Sequence, residues 1–336
     1  MRLAVTPDVV AALVLRERDA DPVDFRLYTG PPSGPLQLRS RTRFETERIW
    51  IPVDLAAEAD RVLLGELRFQ PRFAYRVNVL APGGPQQPVT WGGSLVGPVA
   101  LSGERVAFLG TTRTDEDASY DHLYVIDRRS GGVEASAELR HDEDADFDDL
   151  DLAPDGRAVA ALDGNLLTVA PGVAPARRTG RFSVPRFSGD GFAVLQEQRR
   201  FRARAPVLLE PNGAERILGT PSTAIGAFEA DDRGAAWLAN GCVLYAPRDG
   251  APPTVSTPLA RSTPAGKRVE QARYLAPRGT RVLYAQRIAG RVALVDVPLD
   301  HDDPPTRPAT ACRPGPSRAS APSSCTRSVS TATSAW

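Results

Sequence analysis

The 336-residue chain holds one lysine (Lys267), one methionine, three histidines and three cysteines. The cysteines, Cys242, Cys312 and Cys325, are odd in number and irregular in spacing. That argues against a disulfide framework or a cysteine-built zinc site. Cys242 lies in the apolar stretch NGCVLYA and reads as a buried small hydrophobe. No apolar run approaches ~18 residues, so no membrane-spanning helix is expected. The N-terminus, MRLAVTPDVVAALVLRERDADP, has a short apolar core, but Pro7 and Asp8 interrupt it and no small-x-small cleavage site follows. It reads as a first pair of strands rather than a signal peptide. The compartment stays open: cytoplasmic as written, extracytoplasmic if the N-terminus is incomplete. No dozen residues free of Pro and Gly show apolar positions at i, i+3, i+4 and i+7, so long helices are not expected. Charge of one sign is lacking too. Lys+Arg and Asp+Glu are both 41, so electrostatics give no reason to expect a nucleic-acid partner. The excess of Arg over Lys carries no functional meaning.

What is abundant is turn chemistry, with 31 Pro and 28 Gly. The stretch DLDLAPDGRAVAALDGNLLTVAP (Asp149 to Pro171) reads strand, turn, strand, turn, strand. The pattern recurs in seven copies that start near residues 3, 53, 99, 150, 186, 228 and 273. Each copy adds a third apolar strand (HLYVID, NLLTVA, CVLYAP), a Gly/Pro turn and a more polar fourth segment (VEASAEL, ERILGT). Asp-Gly and Asn-Gly turns adopt positive φ at little cost and suit antiparallel hairpins. Four antiparallel strands per ~45 residues is the signature of a β-propeller blade. Ala158, Ala160 and Leu162 share one strand face and Val159 and Ala161 the other. Apolar residues on both faces suit a strand sandwiched between two sheets.

The turn between first and second strands resembles the SPDGxxIA-like unit of TolB-type, WD-repeat-like propellers. The matching residues are Ala153-Pro154-Asp155-Gly156, Ser188-Gly189-Asp190-Gly191, Ser102-Gly103-Glu104 and Ala276-Pro277-Arg278-Gly279. The resemblance covers residues 3 to 300. Where a true WD repeat has Trp-Asp, this chain has Ile126-Asp127 or nothing. The expected fold is all-β, a seven-bladed β-propeller of four-stranded antiparallel blades with the last blade incomplete. Residues 1–305 form the single propeller domain. Residues 306–336 form a disordered or non-native tail, in which 26 of 31 residues are Ser, Thr, Ala, Pro or Arg and none is acidic.

The propeller scaffold hosts many functions, so function must be argued from a site. There is no G-x-S-x-G, H-E-x-x-H, Walker loop or G-x-G-x-x-G. No catalytic residue is assigned. His122, His141 and His301 default to the surface. Two acidic stretches alternate, one with Asp115, Asp117 and Asp121, the other with Asp142, Asp144 and Asp146. They lack the Gly and Glu of an EF-hand. A solvated acidic loop is the first reading and an irregular Ca²⁺ site the second; no other cofactor is expected. In propeller geometry the loop between strands two and three shares a face with the connector to the next blade. The basic stretch RRFRAR, with Arg199, Arg200, Arg202 and Arg204, falls on that face with the acidic loops. This long-loop face is the expected binding surface. The favoured function is a non-catalytic binding or scaffold propeller, engaging a protein or glycan there. The alternative is a lactonase-like hydrolase or lyase with an axial metal. On the innermost strands only Asp54, Asp151 and Glu229 are noted as carboxylates, which is thin for a metal centre.

Overall fold

A computed structural model describes residues 2–6, 8–18, 21–31, 35–44, 49–68, 74–82, 84–111, 121–139, 147–198, 203–223, 225–239, 242–250, 254–258, 269–278, 281–288 and 291–298. The expected tail, 306–336, lies outside them. The described residues are all-β, with 27 strands and no helix. Sheet 1 comprises β1 (Arg2–Val5), β2 (Val10–Arg18), β3 (Asp21–Gly30) and β4 (Gln37–Phe44). Sheet 2 comprises β5 (Ile51–Glu58), β6 (Arg61–Arg68), β7 (Ala74–Leu80) and β8 (Gln86–Pro88). Sheet 3 comprises β9 (Ser94–Ser102), β10 (Arg105–Thr111), β11 (His122–Asp127) and β12 (Val133–Glu138). Sheet 4 comprises β13 (Phe147–Leu152), β14 (Ala158–Leu162), β15 (Asn165–Ala170) and β16 (Val173–Arg178). Sheet 5 comprises β17 (Phe182–Ser188), β18 (Gly191–Gln198), β19 (Ala203–Leu209) and β20 (Glu215–Ile217). Sheet 6 comprises β21 (Phe228–Asp231), β22 (Gly234–Ala239), β23 (Cys242–Pro247) and β24 (Thr254–Pro258). The last sheet has three strands, β25 (Val269–Arg278), β26 (Arg281–Ile288) and β27 (Arg291–Pro298). Within every sheet the strands follow in chain order and pair antiparallel.

The first strands stand side by side. β1 meets β5, β5 meets β9, and so on through β13, β17, β21 and β25, which returns to β1. Each sheet therefore packs face to face on its neighbours. The apolar alternation fits this. Ala158, Ala160 and Leu162 of β14 pack on Ala107, Leu109 and Val125 of sheet 3, while Val159 and Ala161 pack on Val194, Ala205 and Val207 of sheet 5. All five β14 residues are buried. Second strands fill the seams because they have apolar neighbours on both faces. The outer strands β8 and β20 are short, three residues each, and polar. Cys242 is buried and also disulfide-bonded, which corrects its reading as merely a small hydrophobe.

The repeated turn has a structural task. At Ala153-Pro154-Asp155-Gly156 the Gly156 N–H donates to the Ala153 carbonyl at 3.0 Å, with Gly156 at φ +88°. That dihedral is open to glycine and strained for other residues. Asp155 Oδ1 accepts the Arg157 N–H at 3.0 Å. The Arg that opens the second strand then reaches the next sheet's turn. Arg61 donates to Glu104 Oε1 at 2.8 Å, Arg105 to the Pro154 carbonyl at 3.1 Å and Arg157 to the Asp190 carbonyl at 3.0 Å.

Candidate functional site

Two positions show how loops and connectors are arranged. Asp121 ends the β10–β11 loop. Its N–H donates to Gly110 and its carbonyl accepts the N–H of Leu139, which follows β12, at 2.7 Å. In sheet 5, Arg204 and Ser222 exchange two main-chain hydrogen bonds of 2.9 Å, and Ser222 belongs to the connector from β20 to β21. At sheet 3 the residue before β11 bonds the residue after β12, and at sheet 5 the start of β19 pairs with the connector to β21.

The expected site residues fare differently. Arg199, Arg200, Arg202, Asp115, Asp117, Asp142, Asp144 and Asp146 lie outside the described residues. Arg204 is not in a loop. Its pairing with Glu197 extends the ladder of β19, and its Nη2 donates to the Ile225 carbonyl at 3.0 Å. Asp121 faces His122, Oδ1 to Nδ1, at 3.0 Å. His122 is half-buried and stacked on Tyr124 at 5.3 Å, so it is not a plain surface histidine. Asp149 pairs with Ala161 and belongs to β13.

Charge gathers instead on the innermost strands. The Arg186 guanidinium, on β17, makes a 2.8 Å pair with Asp149 of β13. On its other side it grips Glu229 of β21 through Nε at 2.6 Å and Nη2 at 3.1 Å. Its Nη1 donates to the Pro185 carbonyl at 2.7 Å. One side chain thus ties three consecutive sheets. Burial opposes the Arg186 charge, yet Asp149 and Glu229 outweigh it and hold the pKa well above the usual guanidinium range. Asp151 stands beside this cluster. Burial pushes its carboxyl up from 3.8 to about 6, against the pull of Arg186 and of the Phe187 N–H, which donates to Oδ2 at 2.7 Å. Burial raises Glu229 as well.

Asp54 does in sheet 2 what Asp151 does in sheet 4. Its Oδ2 accepts the Val99 N–H of the next sheet's first strand at 2.9 Å, and its Oδ1 the Leu55 N–H at 3.0 Å. A first strand has no ladder partner on its inner edge, so its main-chain N–H groups need other acceptors. An Asp one sheet earlier provides one. Sequence reading found Asp54, Asp151 and Glu229 but missed Arg186 and Asp149. The signal was weak: RFSG opens with Arg186 where most other copies open with Leu, Val or Phe, but RYLA of the last copy opens with Arg273 as well.

No protein-family model matches the chain, and no curated protein matches its sequence. Solved structures match its shape. The β-propeller domain of the Trilobed protease from Pyrococcus furiosus, described as having an open velcro topology, superposes with a TM-score of 0.59 at 8% identity, covering 90% of this chain and 98% of that one. Pyrococcus horikoshii acylaminoacyl peptidase superposes with a TM-score of 0.58 at 9% identity, covering 89% of this chain and 52% of that one. A puromycin hydrolase gives 0.54 at 18% identity, with 88% and 51% covered. The chain spans about half the length of these two enzymes. At such identities the likeness concerns fold alone: the chain is a β-propeller.

Proposed function

We propose that the chain is a seven-bladed, TolB-type propeller with an incomplete seventh blade, acting as a non-catalytic binding module for a protein or glycan that docks on its long-loop face. The cyclic contact of first strands, β25 against β1 included, supports the blade count. The observation that carries the binding reading is the employment of the axial carboxylates. Asp54 and Asp151 hold main-chain N–H groups of the following sheet, and Asp149 and Glu229 hold Arg186. Groups so engaged serve closure of the ring rather than acid–base or metal chemistry. The acidic poles of the docking face are Asp115, Asp117, Asp121, Asp142 and Asp144, and the basic pole is Arg199, Arg200, Arg202 and Arg204. Exposed poles are screened over about 10 Å at 0.1 M salt, so docking weakens as salt rises. Glycan and peptide arrays probed at low and high salt test this. Binding that ignores salt and survives Ala at all four arginines sinks it.

The Trilobed protease domain and the acylaminoacyl peptidase favour a narrower version, in which the partner is a peptide. The alternative of an axial-metal hydrolase or lyase, with Ca²⁺ at the blade-three loops as its weaker relative, predicts lactone hydrolysis that chelator abolishes and metal restores. That result would displace the binding reading.

A further inference from the structure

Trp50 lies in the connector from β4 to β5, and Arg68 is the last residue of β6. Both stand at the long-loop end of sheet 2. The guanidinium carbons of Arg68 and Arg76 lie 4.7 and 4.3 Å from the Trp50 ring centroid. The two cations are therefore within about 9 Å of one another. Glu66 and Arg68 extend the β6 face that carries Val62 and Leu64, which pack on Ala11, Leu13 and Leu27 of sheet 1. The cluster thus caps the seam between sheets 1 and 2.

Its charges do not cancel. Glu66 is buried, and its Oε2 alone takes Arg76 Nε at 2.8 Å, Asn78 Nδ2 at 2.6 Å and Gln86 Nε2 at 3.2 Å. That carboxylate fixes Arg76 through Nε and leaves its two Nη groups for other acceptors. Arg68 has no carboxylate partner among the described residues, and its Nε is shielded from solvent without an acceptor. Among the described residues of the cluster, two guanidiniums against one carboxylate leave a single positive charge. Cation–π contact with an indole favours holding both cations there, but it satisfies none of their N–H donors. A planar fork of N–H donors fits a carboxylate in two-point fashion. A net charge of +1 matches a monoanion better than a phosphate dianion. The Arg76 side chain is 42% exposed, so the cluster is open to a ligand.

We propose that Trp50, Arg68 and Arg76 form a carboxylate-binding subsite at the mouth of the seam between sheets 1 and 2, which takes a carboxylate of a peptide partner. The assignment rests on the long-loop face being the docking face, and it can be tested without a partner. The probes are acetyl-trialanine with a free carboxylate, the same peptide as its amide, and inorganic phosphate, followed by saturation-transfer NMR. The free acid is expected to bind in the millimolar range and at least about tenfold tighter than the amide. Arg68→Gln with Arg76→Gln should abolish that preference, and Trp50→Phe, which keeps an aromatic face, should weaken it about threefold. Melting temperatures check that the variants fold, and Trp50→Phe leaves every charge in place should the double variant fail. Equal binding of acid and amide, tighter binding of phosphate, or a preference unchanged in both variants overturns the subsite. A partner that docks with salt dependence while the acid probe shows no binding also overturns it, yet leaves the wider reading intact. Acid binding at this site without any docking partner upholds the subsite and removes the wider reading.

Discussion

Asp151 and Arg186 show how one residue carries the cost of closing the axis. Folding raises the Asp151 carboxyl from 3.8 to about 6, so the folded state binds that proton more tightly than the unfolded chain. Its contribution to stability is complete below about pH 3.8 and is lost as pH rises through about 6. Asp24 runs the other way. Hydrogen bonds from Arg41 and Arg26 outweigh burial and hold it at about 2, so its contribution disappears only as pH falls from 3.8 towards that value. The window above pH 4 therefore reports on Asp151, Glu229 and Asp231, the carboxyls that burial raises. Asp151→Asn keeps an oxygen for the Phe187 N–H and removes the charge. It should be more stable than the parent at pH 8 by roughly 1–3 kcal/mol and flatten the pH dependence across that window. Urea titrations at pH 4.5 and 8 check this, and equal slopes in both proteins would refute it. Arg186→Met should cost about 3–5 kcal/mol at pH 8, because it leaves buried carboxylates without their cation. The loss should shrink at pH 5, below the value of about 6 at which Asp151 takes up its proton.

At the scale of the element, β14 was readable from its letters. Alternation of Ala158, Ala160 and Leu162 against Val159 and Ala161 predicted two buried faces, and both seams are there. The small side chains set the sheet spacing, so Ala160→Leu should cost about 1–3 kcal/mol in thermal or urea unfolding, whereas the same change at exposed Ala176 should be near neutral. Strand ends were less legible. RRFRAR looked like a loop by charge, yet Arg204 joins the β19 ladder, since a strand end is decided by its pairing partner rather than by its own polarity. Bulges were invisible too. First strands shift register between Pro52 and Asp54 and between Ser183 and Arg186, and Val184 there adopts φ +49°. Nothing in VDLA or SVPRFS marks which residue will be extruded, because the aim of the inner-edge N–H groups depends on the neighbouring sheet. The axial cluster was half legible for that reason: Asp151 and Glu229 stood out in the sequence and Asp149 did not, and the Arg186 that joins them lies 37 residues from Asp149 and 43 from Glu229.

For the whole molecule, the seven-fold spacing of copies was the strongest sequence signal, since each copy is one antiparallel sheet that needs two neighbours to bury its faces. Far-UV circular dichroism should show a β spectrum without helical minima; dominant minima at the helical wavelengths would contradict the strand assignment. Removing residues 269–298 should open the ring, exposing the faces of sheets 1 and 6, and turn a single unfolding transition into a broad one followed by calorimetry. Persistence of one sharp transition would show that cooperativity needs no closure through the last sheet. The arginine clips between turns add something else. Arg105 and Arg157 reach the neighbouring turn through main-chain carbonyls, of Pro154 and Asp190, whereas Arg61 uses the Glu104 carboxylate. Every residue type brings a carbonyl, so the receiving turn is free to change its letters while the clip survives. A duplicated unit would find its socket ready-made on arrival, and afterwards both copies could drift. It gives a physical basis for sheets that share a shape while their sequences differ.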